Sequence, residues 1–328
     1  MTATPKRKDP RLAAAFTKDP ADEHFLATLN ERLADHELAD YAELDELWPT
    51  VHVIGPPRSG TTLATQLLAA HLDLGCINNL VATFWAAPVH GIRLAKKLLP
   101  IPAPSTYASR YGRTESIGEP HEFGYFWAAL LGYREMVEPR AEALAAVDWG
   151  RVRRTLLNMC QAYGRPVLFK SFMASLYLPG LLRALPRTCL IRMRREPIDN
   201  ASSIVKMRHD YAADPSVWVG LRPREHAWLQ HESLARQAAG QVVFSHAAID
   251  RGLAATSHPH VLDVDYAQMC ADPAGFLTAV QALLTGAGAE VACLRPPPES
   301  FEVRRPLGDA GMREAIEAAL AEFDRRAE

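Results

Sequence analysis

The chain has 328 residues, 48% of them hydrophobic and 23% charged, and its 36 Lys and Arg against 38 Asp and Glu leave a net charge of −2. That balance excludes a disordered chain, which buries too little apolar surface to fold, and a protein that coats nucleic acid with a global positive field. Of the 36 basic residues 29 are Arg and 7 are Lys, a skew that reads as a base-composition bias.

The length suits one large α/β domain or two small ones. Cys76, Cys160, Cys189, Cys270 and Cys293 are scattered, odd in number and without C-x-x-C spacing. They argue against a disulfide framework or a zinc site and for a reducing compartment, so a cytoplasmic location is expected. The opening MTATPKRKDPR is basic, with no apolar stretch behind it that would mark a secretory signal. No uncharged apolar run is long enough to span a bilayer.

Residues 1–20 read as a loose charged arm, and residues 21–48 as helical, with Phe25, Leu26, Leu29 and Leu33 at helical spacing. The pattern then changes. Thr50 to Ile54 is a β-branched run, Gly55-Pro-Pro-Arg-Ser-Gly60-Thr-Thr62 is a glycine-rich loop, and Leu63 to Leu72 is helical. Residues 80–104 read as one amphipathic helix followed by the Pro100–Pro104 loop, and residues 115–133 are rich in aromatics. Further helices are expected at 148–164, 181–185, up to about Arg208, across 222–255, at 273–286 and at 309–326. Further strands are expected at 166–170, 188–193 and 259–264. Strands alternating with helices predict an α/β fold with a mostly parallel central sheet and helices on both faces. Residues 1–48 form an arm and helical appendage, and residues 49–328 a single domain.

The loop carries the first chemical signal. Gly55 and Gly60 have the spacing of a Walker A loop, but Thr61 and Thr62 stand where Lys and Ser or Thr are needed, and Arg58 lies earlier. The backbone N–H groups of residues 58–62 converge at a helix N-terminus and make an anion cradle. Ser59, Thr61 and Thr62 add hydroxyls, and Arg58 offers a bidentate fork to phosphate or sulfate oxygens.

Ile54 to Leu63, IGPPRSGTTL, resembles the 5′-phosphosulfate loop of the PAPS-dependent sulfotransferase superfamily, and is most similar to the bacterial branch with Pro-Arg-Ser-Gly-Thr-Thr. The resemblance implies a P-loop nucleotide-kinase-like sulfotransferase fold. It implies 3′-phosphoadenosine 5′-phosphosulfate (PAPS) as sulfuryl donor and 3′,5′-ADP as product. Arg195 followed by Pro197 and Ser203 resembles the family's 3′-phosphate motif, with Glu196 in place of the commoner Asp or Asn. Lys170 in Leu-Phe-Lys-Ser-Phe is similar to the family's strand-terminal Lys, which implies charge neutralisation at the leaving phosphate. Phe172 stands where some members carry a catalytic His. The run from Val261 to Tyr266 with Asp272-Pro273 resembles the late strand, so the likeness covers roughly 50–285. The resemblance would let Arg304-Arg305 reach the donor, as a C-terminal basic segment does in relatives, whereas the residues by themselves read as a solvated pair.

Sulfuryl transfer to an alcohol needs a proton acceptor. Many bacterial relatives place a Glu shortly after the loop helix; here Asn78 and Asn79 stand there, and an amide cannot serve as a base. Glu119-Pro-His121-Glu122, beside Phe123 to Trp127, is the replacement expected: His121 or Glu122 as base, Glu119 orienting or binding the acceptor, and Asn78 binding it. No metal is implied, because the His residues lack ligand spacing. The acceptor expected is a small molecule, carbohydrate or lipid, through a hydroxyl or less readily an amine. Neither its identity nor the oligomeric state is written in the sequence. Two alternatives remain: a P-loop kinase or NTPase, for which the Walker Lys is missing, and a non-catalytic sulfotransferase-like binding protein.

Overall fold

The computed structural model describes residues 18–100, 102–171, 173–212, 214–306 and 309–327; Phe172 and residues 1–17 of the N-terminal arm lie outside the described residues. The strands are β1 (Thr50–Ile54), β2 (Gly75–Cys76), β3 (Val167–Lys170), β4 (Cys189–Arg194) and β5 (Val261–Asp265). They form one five-stranded sheet in the order β2-β3-β1-β4-β5, parallel throughout. The helices, in chain order, are α1 (Pro20–Ala39), α2 (Thr61–His71), α3 (Asn79–Ala82), α4 (Pro88–Leu98), α5 (Gly124–Leu131), α6 (Ala141–Ala145), α7 (Trp149–Tyr163), α8 (Leu178–Ala184), α9 (Pro197–Tyr211), α10 (His226–Leu229), α11 (Leu234–Ala254), α12 (Tyr266–Ala271), α13 (Pro273–Gly286) and α14 (Ala310–Ala327).

The strands are apolar on both sides because both faces of the sheet are covered. Val51, Val53, Leu168, Ile191 and Met193 pack on one face against Leu67, Leu68, Leu277 and Val280 of α2 and α13. Residues one step along point the other way. Phe169 joins Leu156 and Trp127 of α7 and α5, and Ile54 and Leu190 join Leu178 and Ile249 of α8 and α11. His52 is buried on this second face, its ring stacked on Phe169 at 5.0 Å and its Nδ1 3.2 Å from Ser171 Oγ. Burial pushes its pKa down to about 3, so it enters the core neutral.

Helix ends follow their local chemistry. Asp148 caps α7, Gly164 ends it with φ +71°, and the Asp272 carboxylate accepts from Gly275 N at 2.8 Å to start α13 behind Pro273. Differences from expectation lie where elements are short. β2 has two residues, too few for a period-2 pattern. The helix expected across 222–255 is broken at 230–233, where Ser233 caps a new start and accepts from Arg236 N. The chain over 80–104 holds two helices, α3 capped by Asn78 and α4 begun at Pro88.

Helix α1 is tied to α3 and α4 by polar groups. Asn30 Nδ2 donates to Thr83 O at 2.7 Å, and Asn30 Oδ1 accepts from Ala86 N at 2.7 Å. Glu37 is 1% exposed and accepts from Val89 N, His90 N and Tyr41 Oη at 2.9, 2.9 and 2.5 Å. It thus supplies the anion for the first turn of α4. Among the described residues no helix is long and apolar enough to cross a membrane.

The turn between β1 and α2 is set by close packing. Gly60 has φ +102°, and a Cβ there would lie 2.4 Å from Cδ2 of Tyr266, the first residue of α12. Gly55 is similarly enclosed: a Cβ would lie 2.9 Å from Met193 O.

Two stability predictions follow from these contacts. Glu37→Ala strands four donors, Val89 N, His90 N, His90 Nδ1 and Tyr41 Oη, and lowers unfolding free energy by about 3 kcal/mol in a urea titration, whereas Glu37→Gln loses less because it keeps an acceptor. Gly60→Ala combines a left-handed φ with a clash against Tyr266 and lowers it by about 2–4 kcal/mol.

Candidate functional site

The parallel register brings three strand ends to one edge of the sheet, the place where open α/β sheets hold ligands. Lys170 pairs with Val53 and Arg192 with Ile54. The loop after β1, Ser171 after β3 and Arg195 after β4 therefore leave the sheet side by side.

The two arginines singled out in the sequence meet there. Arg195 is 8% exposed, and its Nη1 donates to the Arg58 carbonyl at 2.8 Å. Arg58 has φ +68°, an uncommon value for a side chain of this size. Its Nε donates to Ser203 Oγ at 3.2 Å, on the buried face of α9. Ser203 is thus joined to Arg58 and not directly to Arg195, the arginine with which it shares a motif. Burial first, then the neighbouring charge of Arg195, lowers the Arg58 pKa; burial is also the leading cause of the lowered Arg195 pKa. Arg195 lies over the Tyr266 ring at 4.9 Å, donates from Nη2 to the Arg304 carbonyl, and leaves its buried Nε without a partner among the described residues.

Lys170 forms the second centre. It is 2% exposed, and its Nζ lies 2.9 Å from Glu122 Oε1 and 2.8 Å from Gly112 O. Burial lowers its pKa and Glu122 opposes the shift, while Arg58 pushes it further down. Arg58 and Lys170 are therefore near enough to act on each other. Tyr111 lies beside Arg58, its ring 5.2 Å from the guanidinium and its hydroxyl bonded to Asp210 at the end of α9. Gly112 has φ +89°, and a Cβ there would lie 2.9 Å from Glu122 Oε1. The Glu122 side chain remains 37% exposed, with Oε2 free of protein hydrogen bonds among the described residues.

Within the loop, Ser59 is fully buried and its Oγ donates to Pro56 O at 2.9 Å, so its hydroxyl hydrogen is spent on closing the turn. Gly60 is the first residue outside α2, which has no side-chain cap and no acid in its first turn. The amide groups at Thr61 and Thr62 thus keep their positive end open. The two threonine hydroxyls have no protein partner among the described residues.

The acceptor-side candidates separate. Glu119 is 2% exposed; its carboxylate accepts from Ser105 Oγ at 2.9 Å, Thr106 N at 2.8 Å and Gln66 Nε2 at 3.0 Å. These bonds fold the 105–119 loop onto α2. His121 Nδ1 accepts from Phe123 N at 2.9 Å, which places the neutral ring's proton on Nε2. Desolvation pushes His121 down to about 4 even though part of the residue is exposed; the tautomer follows from the hydrogen bond alone. Asn78 Oδ1 accepts from Val81 N at 2.9 Å, and the residue lines a small, mostly apolar cavity with Ala95, Leu99, Ala103 and Gly118. Arg192 and Arg194 turn away from Arg195: Arg192 pairs with Asp263, 2.5 Å from Nε, and with Asp250, and Arg194 pairs with Asp263 at 3.0 Å.

Four groups in the cluster were not singled out by sequence as ligands: Tyr111, the Gly112 carbonyl, the Arg304 carbonyl and Asn200, whose Nδ2 donates to Pro57 O at 2.7 Å. Carbonyls carry no side-chain signal. The exposed Arg304 side chain fits a solvated pair, yet its backbone lies against Arg195.

The sulfotransferase family model matches residues 49–286. No curated protein sequence matches the chain. Solved structures similar to it include sulfotransferase STF9 from Mycobacterium avium, at 14% identity over 96% of this chain and 79% of that one, with a TM-score of 0.49. Sulfotransferase STF1 from Mycobacterium tuberculosis H37Rv is 13% identical over 94% and 85%, with a TM-score of 0.47. A sulfotransferase from Alicyclobacillus acidocaldarius is 18% identical over 85% and 94%, with a TM-score of 0.44. The family assignment rests on the sequence match and not on these superpositions. The strand ends, the loop and both arginines fall inside the matched region, and the chain belongs to the sulfotransferase family.

Proposed function

We propose that the protein transfers a sulfuryl group from PAPS to a hydroxyl of a small-molecule, carbohydrate or lipid acceptor. The observation that carries this reading is the convergence of Arg58, Arg195 and Lys170 on one uncapped helix start, with Arg195 Nε buried and unpartnered among the described residues. Buried cations of this kind call for a polyanion. A donor with a 3′-phosphate at one end and a phosphosulfate at the other fits them.

In this reading the amides of 60–62 and Arg58 hold the 5′-phosphosulfate, and Arg195 with Ser203 holds the 3′-phosphate. PAPS supplies an activated sulfuryl group whose bond to the 5′-phosphate breaks as the acceptor oxygen bonds to sulfur. Lys170 stabilises the charge left on the phosphate, and Arg58 the charge on the sulfuryl oxygens. Glu122 takes the hydroxyl proton on Oε2, since its other oxygen is held by Lys170. His121 is the weaker candidate for base because its lone pair is already used by Phe123 N. Glu119 acts on the acceptor only through the loop it holds.

Two measurements test the proposal. Calorimetric titration with 3′,5′-ADP gives binding without added metal, weakened about 100-fold in Arg195→Ala, roughly 3 kcal/mol. Absence of binding, or Mg²⁺-dependent binding of ATP in its place, overturns the donor assignment. With a ³⁵S-labelled donor and a metabolite pool as acceptor, Glu122→Gln lowers kcat by about 10²–10⁴ while 3′,5′-ADP affinity stays within a few-fold. Unchanged kcat removes Glu122 as the base, and donor binding with no sulfated product from any pool favours a binding protein.

A further inference from the structure

Arg208 lies on α9 beyond Ser203 and is 0% exposed, yet no carboxylate pairs with it among the described residues. Its partners are two neutral amides: Nη1 donates to Gln237 Oε1 at 2.7 Å and Nη2 to Gln241 Oε1 at 2.9 Å. Its guanidinium lies 4.5 Å from the Trp218 ring centroid, and Nε has no partner among the described residues. Burial pushes its pKa down to about 10. A buried cation with only neutral partners is a poor stabilising device, since apolar packing serves the same volume at lower cost. What the guanidinium does is orient.

Gln237 and Gln241 are one helical turn apart on α11, and the planar fork spans both. Because Arg208 only donates, it turns each amide oxygen towards itself and each NH2 group away. The NH2 of Gln241 then donates to the carbonyls of Val219 and Leu221, both at 2.9 Å. The NH2 of Gln237 donates to Gln230 O at 3.2 Å and Glu232 O at 2.9 Å. Between Val219 and Leu221 sits Gly220, with φ +90°, so close to the phosphate loop that a Cβ would lie 2.8 Å from Pro57 Cγ. Pro57 immediately precedes Arg58. One branch of the guanidinium therefore leads to the loop, and the other leads away from it to the start of α11.

We propose that Arg208 is a positioning residue for the anion loop: through the Gln241 amide it holds the 218–221 turn as the rear wall against which Pro57 is seated, and so fixes the backbone from which Arg58 projects. The nucleotide readout below rests on the donor-site reading given above, whereas the exchange readout does not.

The two branches supply the test. Gln237→Leu and Gln241→Leu each remove one amide from the same guanidinium and lower the denaturation midpoint to a similar extent. Of the two, only Gln241→Leu weakens 3′,5′-ADP binding, by about 10-fold, and only it speeds hydrogen exchange of the loop amides at 58–62, also by about 10-fold. Gln237→Leu leaves both within twofold. Arg208→Met reproduces the Gln241 effect on exchange. Equal effects of the two glutamine variants on loop exchange, or none from Gln241→Leu, overturn the proposal and leave Arg208 a general packing residue. If Gln241→Leu does not fold, Gln241→Asn keeps an amide of shorter reach and is read in the same way. If the wild-type protein binds no 3′,5′-ADP, the donor reading fails while the exchange comparison still decides the role of Arg208.

Discussion

The hydrogen bond from Arg195 Nη1 to the Arg58 carbonyl joins the ends of two neighbouring strands, and much of the site depends on it. It requires the loop after β1 to turn its carbonyl towards β4, which the left-handed conformation of Arg58 achieves. That turn in turn requires glycine at 60, where Tyr266 fills the space of a side chain. Tyr266 then supports the Arg195 guanidinium from below. Loop, arginine and aromatic ring thus form a closed set in which each member limits the conformations of the others.

Electrostatically the arrangement is held in tension. Arg58, Lys170 and Arg195 are drawn out of water and act on one another unfavourably, and each has a lowered pKa chiefly because of burial. Their partners differ: Arg195 is held by two backbone oxygens, Arg58 O and Arg304 O, Arg58 by the Ser203 hydroxyl, and Lys170 by Gly112 O together with the Glu122 carboxylate. Neutral dipoles stabilise a cation without cancelling its charge, so the Arg58 and Arg195 end of the cleft keeps a positive potential in a chain whose net charge is −2. Asp263 and Asp250 do cancel Arg192, which lies one layer away on the far side of β4. The alternation of the strand separates an arginine used for structure from one aimed at the cleft.

Glu119, His121 and Glu122 illustrate how far a local motif can be read. All three lie within four residues and carry chemistry suited to proton transfer. Their separation comes from partners distant in sequence: Gln66 and Ser105 enclose Glu119, and Lys170 orients Glu122. His121 is engaged by a backbone N–H two residues on, because Phe123 takes a left-handed conformation to start α5. Neither the φ of Phe123 nor the reach of Gln66 has a signature in residue type.

The sequence alone determined the strand–loop–helix unit, since β-branched residues, two spaced glycines and an apolar helical repeat each have a local physical cause. The strand-terminal Lys170 and Arg195 were marked by their resemblance to family motifs, at places where an apolar strand gives way to charge. Tertiary structure alone decided which donors point where: the meeting of Arg58 with Ser203, the carbonyls of Gly112 and Arg304 on Lys170 and Arg195, and the burial of Arg208 between two glutamines. Those choices depend on close approach between segments far apart in the chain and on backbone groups that every residue shares, so no pattern of residue types encodes them.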